Sequence, residues 1–219
     1  MTDNCGKRFR LYRPGRERHD DWYWLPFPDD EMGMVSVAMI SSIFWKGKFH
    51  CIYLSKGLIV VDTLPVEPTV EFLEMDQSQL PVIGNRSNGF FLEDRMELFL
   101  VESDGKLLLV VEFFEYDPPN TSRWLTGFQV FEADFSERKR WVRVESLGDR
   151  VLFIYRNFAA SLSAADVGVE GNCIYFIDPS KTEPVPWSVF NLSTGRVTDA
   201  SLPCPPSPSA HLMFVPSIC

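Results

Sequence analysis

Residues 141 to 178 read WVRVESLGDRVLFIYRNFAASLSAADVGVEGNCIYFID, and they specify sheet rather than helix. Val142 and Val144 alternate with Arg143 and Glu145, the period of two at which one strand face is buried and the other meets water. Leu147-Gly148-Asp149 then supplies a turn. Val151 to Tyr155 is an unbroken apolar run, too short for a helix and rich in β-branched and aromatic residues, so it reads as a strand buried on both faces. Gly168 and Gly171 bracket a further turn. Cys173 to Ile177 repeats the buried-strand pattern and stops at Asp178-Pro179, where proline has no N–H to give to a ladder.

The rest of the chain reads as looser versions of this stretch. Phe9 to Tyr12 and Trp22 to Leu25 are short aromatic strands on either side of Pro14-Gly15. Val35, Val37 and Met39 alternate with Ser36, Ala38 and Ile40, again at strand spacing. Phe49 to Leu54, the turn Ser55-Lys56-Gly57 and Leu58 to Asp62 make a hairpin, and Thr69 to Leu73 adds a weaker strand. Asp76 to Asp94 is polar and reads as a long surface loop. Strands resume at Leu98 to Val101, Lys106 to Phe114, Thr126 to Ala133 and Trp141 to Val144, and again, after Cys173 to Ile177, at Ser188 to Leu192 and Arg196 to Thr198. A repeat underlies this order: Gly47-Lys48, Gly105-Lys106 and Gly171-Asn172 each precede an apolar strand, at intervals longer than the ~40 to 50 residues of common propeller repeats.

The succession of unlike residue types in the opening stretch, Trp141, then SLGDRVLF, then the loop SLSAAD, then GNCIYF, closely resembles the C-terminal signature of the plant KIB-type β-propeller family, an F-box-associated domain of unknown function. The match is densest from Trp141 to Arg196, with thinner echoes at WKGKFHCIYL and LVESDGKLLLVVEFF. It implies a propeller and a partner-binding role with no assigned catalytic residues. Family members often follow an N-terminal F-box. Leu25-Pro26 resembles the opening of one, but Pro28 and an acidic run follow where helices are required, so the F-box is taken as absent. A Skp-like adaptor is therefore expected only if an F-box is supplied elsewhere.

The expected fold is all-β: a partial β-propeller of about three four-stranded blades plus a two-strand fragment over residues 1–202, with a Pro/Ser-rich tail, expected to be disordered, over 203–219. Three and a half blades fall short of the ~4 to 8 that close a ring, so open edges and self-association are expected. Lys and Arg number 21 against 30 Asp and Glu, a net charge of −9, which argues against nucleic-acid binding. The basic residues Lys7, Arg8, Arg10, Arg13, Arg16 and Arg18 fit a protected strand edge. Five scattered cysteines without a C-x-x-C pair suggest neither disulfides nor zinc, and no signal peptide or membrane span is read, so an intracellular protein, cytoplasmic or nuclear, is expected.

No catalytic, metal or cofactor site is expected. His19, His50 and His211 lack metal-ligand spacing, and no hydrolase, dinucleotide, P-loop or metalloprotease motif occurs. The carboxylates Asp29-Asp30-Glu31 and Glu93-Asp94 leave a glycan-active enzyme as one alternative, and a truncated product without independent activity as another. The favoured reading is a protein-interaction module of the ubiquitin-ligase substrate-receptor class, its partner a protein of unknown identity. In a regular propeller the long connections Pro26 to Gly33, Asp76 to Met96, Tyr116 to Arg123 and Pro179 to Pro186 share one face, opposite Arg156 to Gly171. Phe27, Phe90, Phe91 and Tyr116 on that face are the candidate partner-binding residues.

Overall fold

The computed structural model describes residues 8–12, 22–26, 39–53, 57–65, 68–81, 96–117, 122–155, 158–177 and 187–200. β1 (Arg8–Tyr12) and β2 (Trp22–Pro26) pair antiparallel as a separate two-stranded sheet. β3 (Met39–Trp45), β4 (Lys48–Tyr53), β5 (Gly57–Asp62) and β6 (Thr69–Glu74) form the first four-stranded antiparallel sheet, in chain order. β7 (Met96–Ser103), β8 (Lys106–Asp117), β9 (Ser122–Asp134) and β10 (Arg140–Val144) form the second.

Turn chemistry explains why the first two sheets resemble each other. Lys46 and Gly47 have φ of 47° and 80°, and Asp104 and Gly105 have 53° and 76°. Both pairs make the left-handed two-residue turn whose twist matches that of the strands it joins. Gly57 opens β5 at φ 113°, and a Cβ there would collide with the Leu73 carbonyl oxygen of β6, so only glycine fits.

The third sheet breaks the pattern. It comprises β11 (Arg150–Tyr155), β12 (Phe158–Ser163), β13 (Cys173–Ile177), β14 (Trp187–Asn191) and β15 (Arg196–Asp199), in the order β12-β11-β13-β14-β15. β11 and β13 are parallel neighbours, and a parallel pair needs a long crossover. β12 and the four-residue helix α1 (Ala164–Val167) provide it. Arg156 to Gly171, expected as a loop, is thus mostly a strand and a helical turn. Gly171-Asn172 precedes β13 at the end of this crossover rather than in a hairpin, so the third echo of the repeat is structurally different from the first two.

The sheets stack face to face. One side of the second sheet (Leu98, Leu100, Leu107, Leu109, Val111, Phe131, Ala133, Trp141) packs on Ile52 and Leu58 of the first. The other side (Phe99, Val101, Leu108, Val110, Phe128, Val130) packs on Leu152, Ile154, Ile174, Phe176 and Phe190 of the third. Burial on both faces accounts for the unbroken run LLLVV in β8. At one edge of the stack, β7 contacts both β3 and β12. There the Ser41 hydroxyl oxygen accepts from the Leu100 N–H at 2.9 Å, and Ser103 Oγ lies 2.7 Å from Ser161 Oγ. β12, rather than β11, is therefore the inner strand of the third sheet. Three stacked sheets and a hairpin make a partial β-propeller.

Asp76 to Asp94 was expected to be a surface loop, and its first residues differ from that. Asp76 forms a parallel bridge to Arg140 beside β10. Its N–H donates to the Lys139 carbonyl at 2.8 Å, while its own carbonyl accepts from Trp141. Leu80 is buried in the interface of the first two sheets. The chain leaving the first sheet thus covers the outer edge of the second. Residues 203–219 lie outside the described part.

Candidate interaction surface

The residues of the 141–178 signature converge at one end of the third sheet, where the links 145–149, 163–172 and 191–195 meet. Asn172 is the centre. Its side-chain oxygen accepts from the Leu147 N–H at 2.7 Å and its amide nitrogen donates to Ser193 Oγ at 2.6 Å. Its backbone N–H donates to the Arg150 carbonyl and its carbonyl accepts from Leu192, at a left-handed φ of 57°. Asparagine tolerates that φ better than most residues.

The rest of the signature is equally committed. Ser163 Oγ donates to Asp149 Oδ2 at 3.0 Å and also accepts from the Asp166 N–H, capping α1. Arg150 donates through Nε to Ser161 Oγ and through Nη2 to the Ser161 carbonyl, at 3.1 and 3.0 Å. A Cβ on Gly171 would sit 2.8 Å from the Gly148 carbonyl oxygen, so the two turns approach too closely for a side chain. These polar residues hold the crossover in place. They bond to one another, which marks the motif as scaffold.

Other candidate groups are likewise structural where they are described. His50 is buried, its Nδ1 3.2 Å from the Lys48 carbonyl, its ring edge-on to Trp45 at 5.2 Å. Burial pushes its pKa down, partly countered by that hydrogen bond. Burial pushes the Cys51 and Cys173 thiols up, away from the reactive thiolate. Among the described residues no three His, Cys, Asp or Glu side chains cluster in a way that would hold a metal. No helix among the described residues is long and apolar enough to cross a membrane. Trp45 stacks on Phe135 at 5.5 Å between the first two sheets, and Trp141 is buried there.

Phe27, Phe90 and Phe91 lie outside the described residues, as do Asp29, Asp30, Glu31, Glu93, Asp94, His19 and His211. Tyr116 is placed by its backbone: it pairs with Arg123 near the tip of the β8–β9 hairpin, so the two ends of the span read as a loop belong to strands. The arrangement of connections also differs from a regular propeller. Because β13 runs parallel to β11, Ile177 ends it on the side of the third sheet opposite the 145–149 link, whereas the repeat placed the end of that strand beside the link. The side chain that sequence reasoning missed is Asn172. Its signal was the Gly-Asn pair, which had been read as a repeat marker.

Comparison with known sequences completes the picture. The sequence model of a family described as KIB1-4 beta-propeller matches residues 1–193. The chain belongs to that family. Similar proteins include the Arabidopsis thaliana F-box protein At2g17690, 35% identical over 135 residues, or 61% of this chain and 30% of that protein. The Arabidopsis thaliana F-box protein At2g17036 is 30% identical over 57% of this chain and 30% of its own length. The F-box/kelch-repeat protein At1g64840 of the same plant is 29% identical over 72% of this chain and 38% of its own length. The chain thus spans about a third of the length of these relatives. No solved structure matches it. The KIB1-4 signature accordingly has a physical meaning in this chain, as the set of hydrogen bonds that fixes the crossover of the third sheet.

Proposed function

We propose that the chain is a protein-recognition module of the substrate-receptor class found in ubiquitin ligases, binding a protein partner through its long connections rather than through its signature. The observation that carries this reading is its kinship with proteins named as F-box proteins, over the propeller region itself. The consumption of the signature's polar groups by one another supports it, since a binding or catalytic motif leaves donors and acceptors open for a ligand. Phe27, Phe90, Phe91 and Tyr116 are the proposed anchors, because aromatic residues carry much of the energy of protein interfaces and Tyr116 stands near the tip of the β8–β9 hairpin. The compartment proposed is cytoplasmic or nuclear. A Skp-like adaptor joins only where an F-box is present, and no enzymatic activity is assigned.

The test is reconstitution. The chain alone and the chain fused behind an F-box are used to recover partners, and ubiquitin transfer to a recovered partner is measured. Transfer that requires both the F-box and an intact chain, and that falls in the Phe27→Ala/Tyr116→Ala variant while folding is retained, supports the proposal. Recovery of the adaptor by the chain alone, or turnover of a glycoside by it, contradicts the proposal.

A further inference from the structure

β8 and β9, of 12 and 13 residues, run beyond their neighbours at one end of the second sheet. β7 begins at Met96, opposite Phe113, and β10 ends at Val144, opposite Val130. Between residues 114 and 125 the hairpin therefore has no flanking strand among the described residues. An irregularity lies at the base of this arm. Phe113 pairs with Gly127 and Phe114 with Leu125, so Thr126 is the extra residue of a bulge. One extra residue moves every side chain beyond it to the other face of the strand. Phe128 and Val130 face the third sheet, and strict alternation would put Trp124 on that side as well. Leu125 packs there instead. Trp124 is turned to the opposite side, where it is 40% exposed, and Glu115 stands directly across the ladder from it, also exposed. Among the described residues neither has an ion-pair or ring partner.

From this we infer that Trp124 and Glu115 form a binding site for a cationic side chain, arginine or lysine, carried by an exposed segment of a partner protein. That the partner is a protein rests on the function proposed above; the chemistry of the pair does not. A cation is drawn to the face of an aromatic ring by the ring's quadrupole, and tryptophan attracts it most strongly. A carboxylate beside the ring supplies the charge-assisted hydrogen bond that the same cation needs. The bulge is what brings the two groups together. Without Thr126 as an extra residue, Glu115 would stand opposite Leu125 and the indole would turn toward the third sheet. Bulges that re-aim a side chain are a recurrent feature beside functional sites, and exposed tryptophan is among the strongest anchors of protein interfaces. The net charge of −9 favours the approach of a basic partner over an acidic one. Tyr116, already among the proposed anchors, is the next residue on the same arm.

The test uses three unstructured peptides: arginine alternating with serine, and the same peptide with lysine or with glutamine in place of arginine. Binding to the full chain is measured by fluorescence anisotropy at physiological salt. The arginine and lysine peptides are expected to bind and the glutamine peptide is not. Trp124→Ala and Glu115→Gln should each weaken the cationic peptides roughly five- to tenfold, and Trp124→Phe should keep part of the affinity. Glu71→Gln, which removes an exposed carboxylate of β6, should change nothing. Circular dichroism and thermal melting check that each variant folds, which the exposure of these positions favours. Equal losses from Glu71→Gln and Glu115→Gln would reduce the effect to net charge and overturn the inference. So would unchanged binding by folded Trp124→Ala, or binding of neither cationic peptide. These readouts are separate from ubiquitin transfer. Peptide binding that persists while transfer fails removes the proposed function alone, whereas transfer without peptide binding removes this inference alone.

Discussion

Trp141 and Arg143 lie on the same side of β10, yet the first is buried between sheets and the second reaches water, where it pairs with Glu145 at 3.1 Å. Trp141→Ala should therefore cost ~3 to 5 kcal/mol, and Arg143→Ala within about 0.5, read from urea or thermal denaturation. The indole N–H of Trp141 has no acceptor among the described residues, so Trp141→Phe should recover most of the loss. Equal, small effects of Trp141→Ala and Arg143→Ala would contradict the placement. At Asn172, replacement by Ala removes two side-chain bonds and leaves a β-carbon in the left-handed region, for an expected ~2 to 3 kcal/mol. Asn172→Gly relieves the second term only, and should be milder by roughly 1 kcal/mol. The burial of Trp141 was not legible from the alternation, which sets it on the side of Arg143 and Glu145. Nor was the role of Asn172, because its partners Leu147 and Ser193 stand on different links and are brought together only by the sheet.

At the scale of elements, regular strands were legible and the crossover was not. Val151 to Ile154 and Cys173 to Phe176 are buried or half-buried on both faces, and nothing but a strand accommodates so short an apolar run. FAASLS in β12 has no buried residue, so its composition resembles a loop; pairing with β11 and contact with β7 make it a strand. That strand is held largely by hydroxyls. Ser161→Ala leaves the buried Ser103 hydroxyl and the Arg150 Nε without this partner, and should cost ~1 to 3 kcal/mol. The Ser103→Ala/Ser161→Ala double variant should cost less than the sum of the singles, because the pair is removed together; strict additivity would deny the contact.

The first-sheet interface carries a pH signature. His50 has its pKa lowered by burial, so above its usual value of about 6.5 stability is flat with pH. Below that value the unfolded chain takes up the proton first, and stability falls until the folded ring protonates as well. Urea midpoints between about pH 5 and 8 should show this slope, and His50→Gln should flatten it. An unchanged slope in that variant would assign the effect elsewhere. Asp76 responds at lower pH. The Ser78 N–H, and more weakly Arg138, hold its carboxyl below the usual carboxylate range, so its contribution is present above ~3.9 and is lost as the pH falls through the lowered value.

For the whole molecule, the all-β class and the propeller kinship followed from the residues between Trp141 and Arg196, whereas the order of strands in the third sheet followed from none of them. A repeat in sequence suggests a repeat in topology, and by that logic β11 would be the inner strand. The structure instead places β12 against β7 and gives the third sheet a parallel pair. This exchange reverses the end of the sheet at which β13 finishes.

That exchange is tested most directly by a cross-link. In a background with the native cysteines replaced by serine, Ser103→Cys and Ser161→Cys put two thiols where the hydroxyl oxygens now lie 2.7 Å apart. The expected result is a disulfide that forms on mild oxidation in the folded chain and not in urea, mapped to residues 103 and 161 by peptide mass. Failure of that pair to close, with ready closure of Ser103→Cys to Leu152→Cys on β11, would contradict the account.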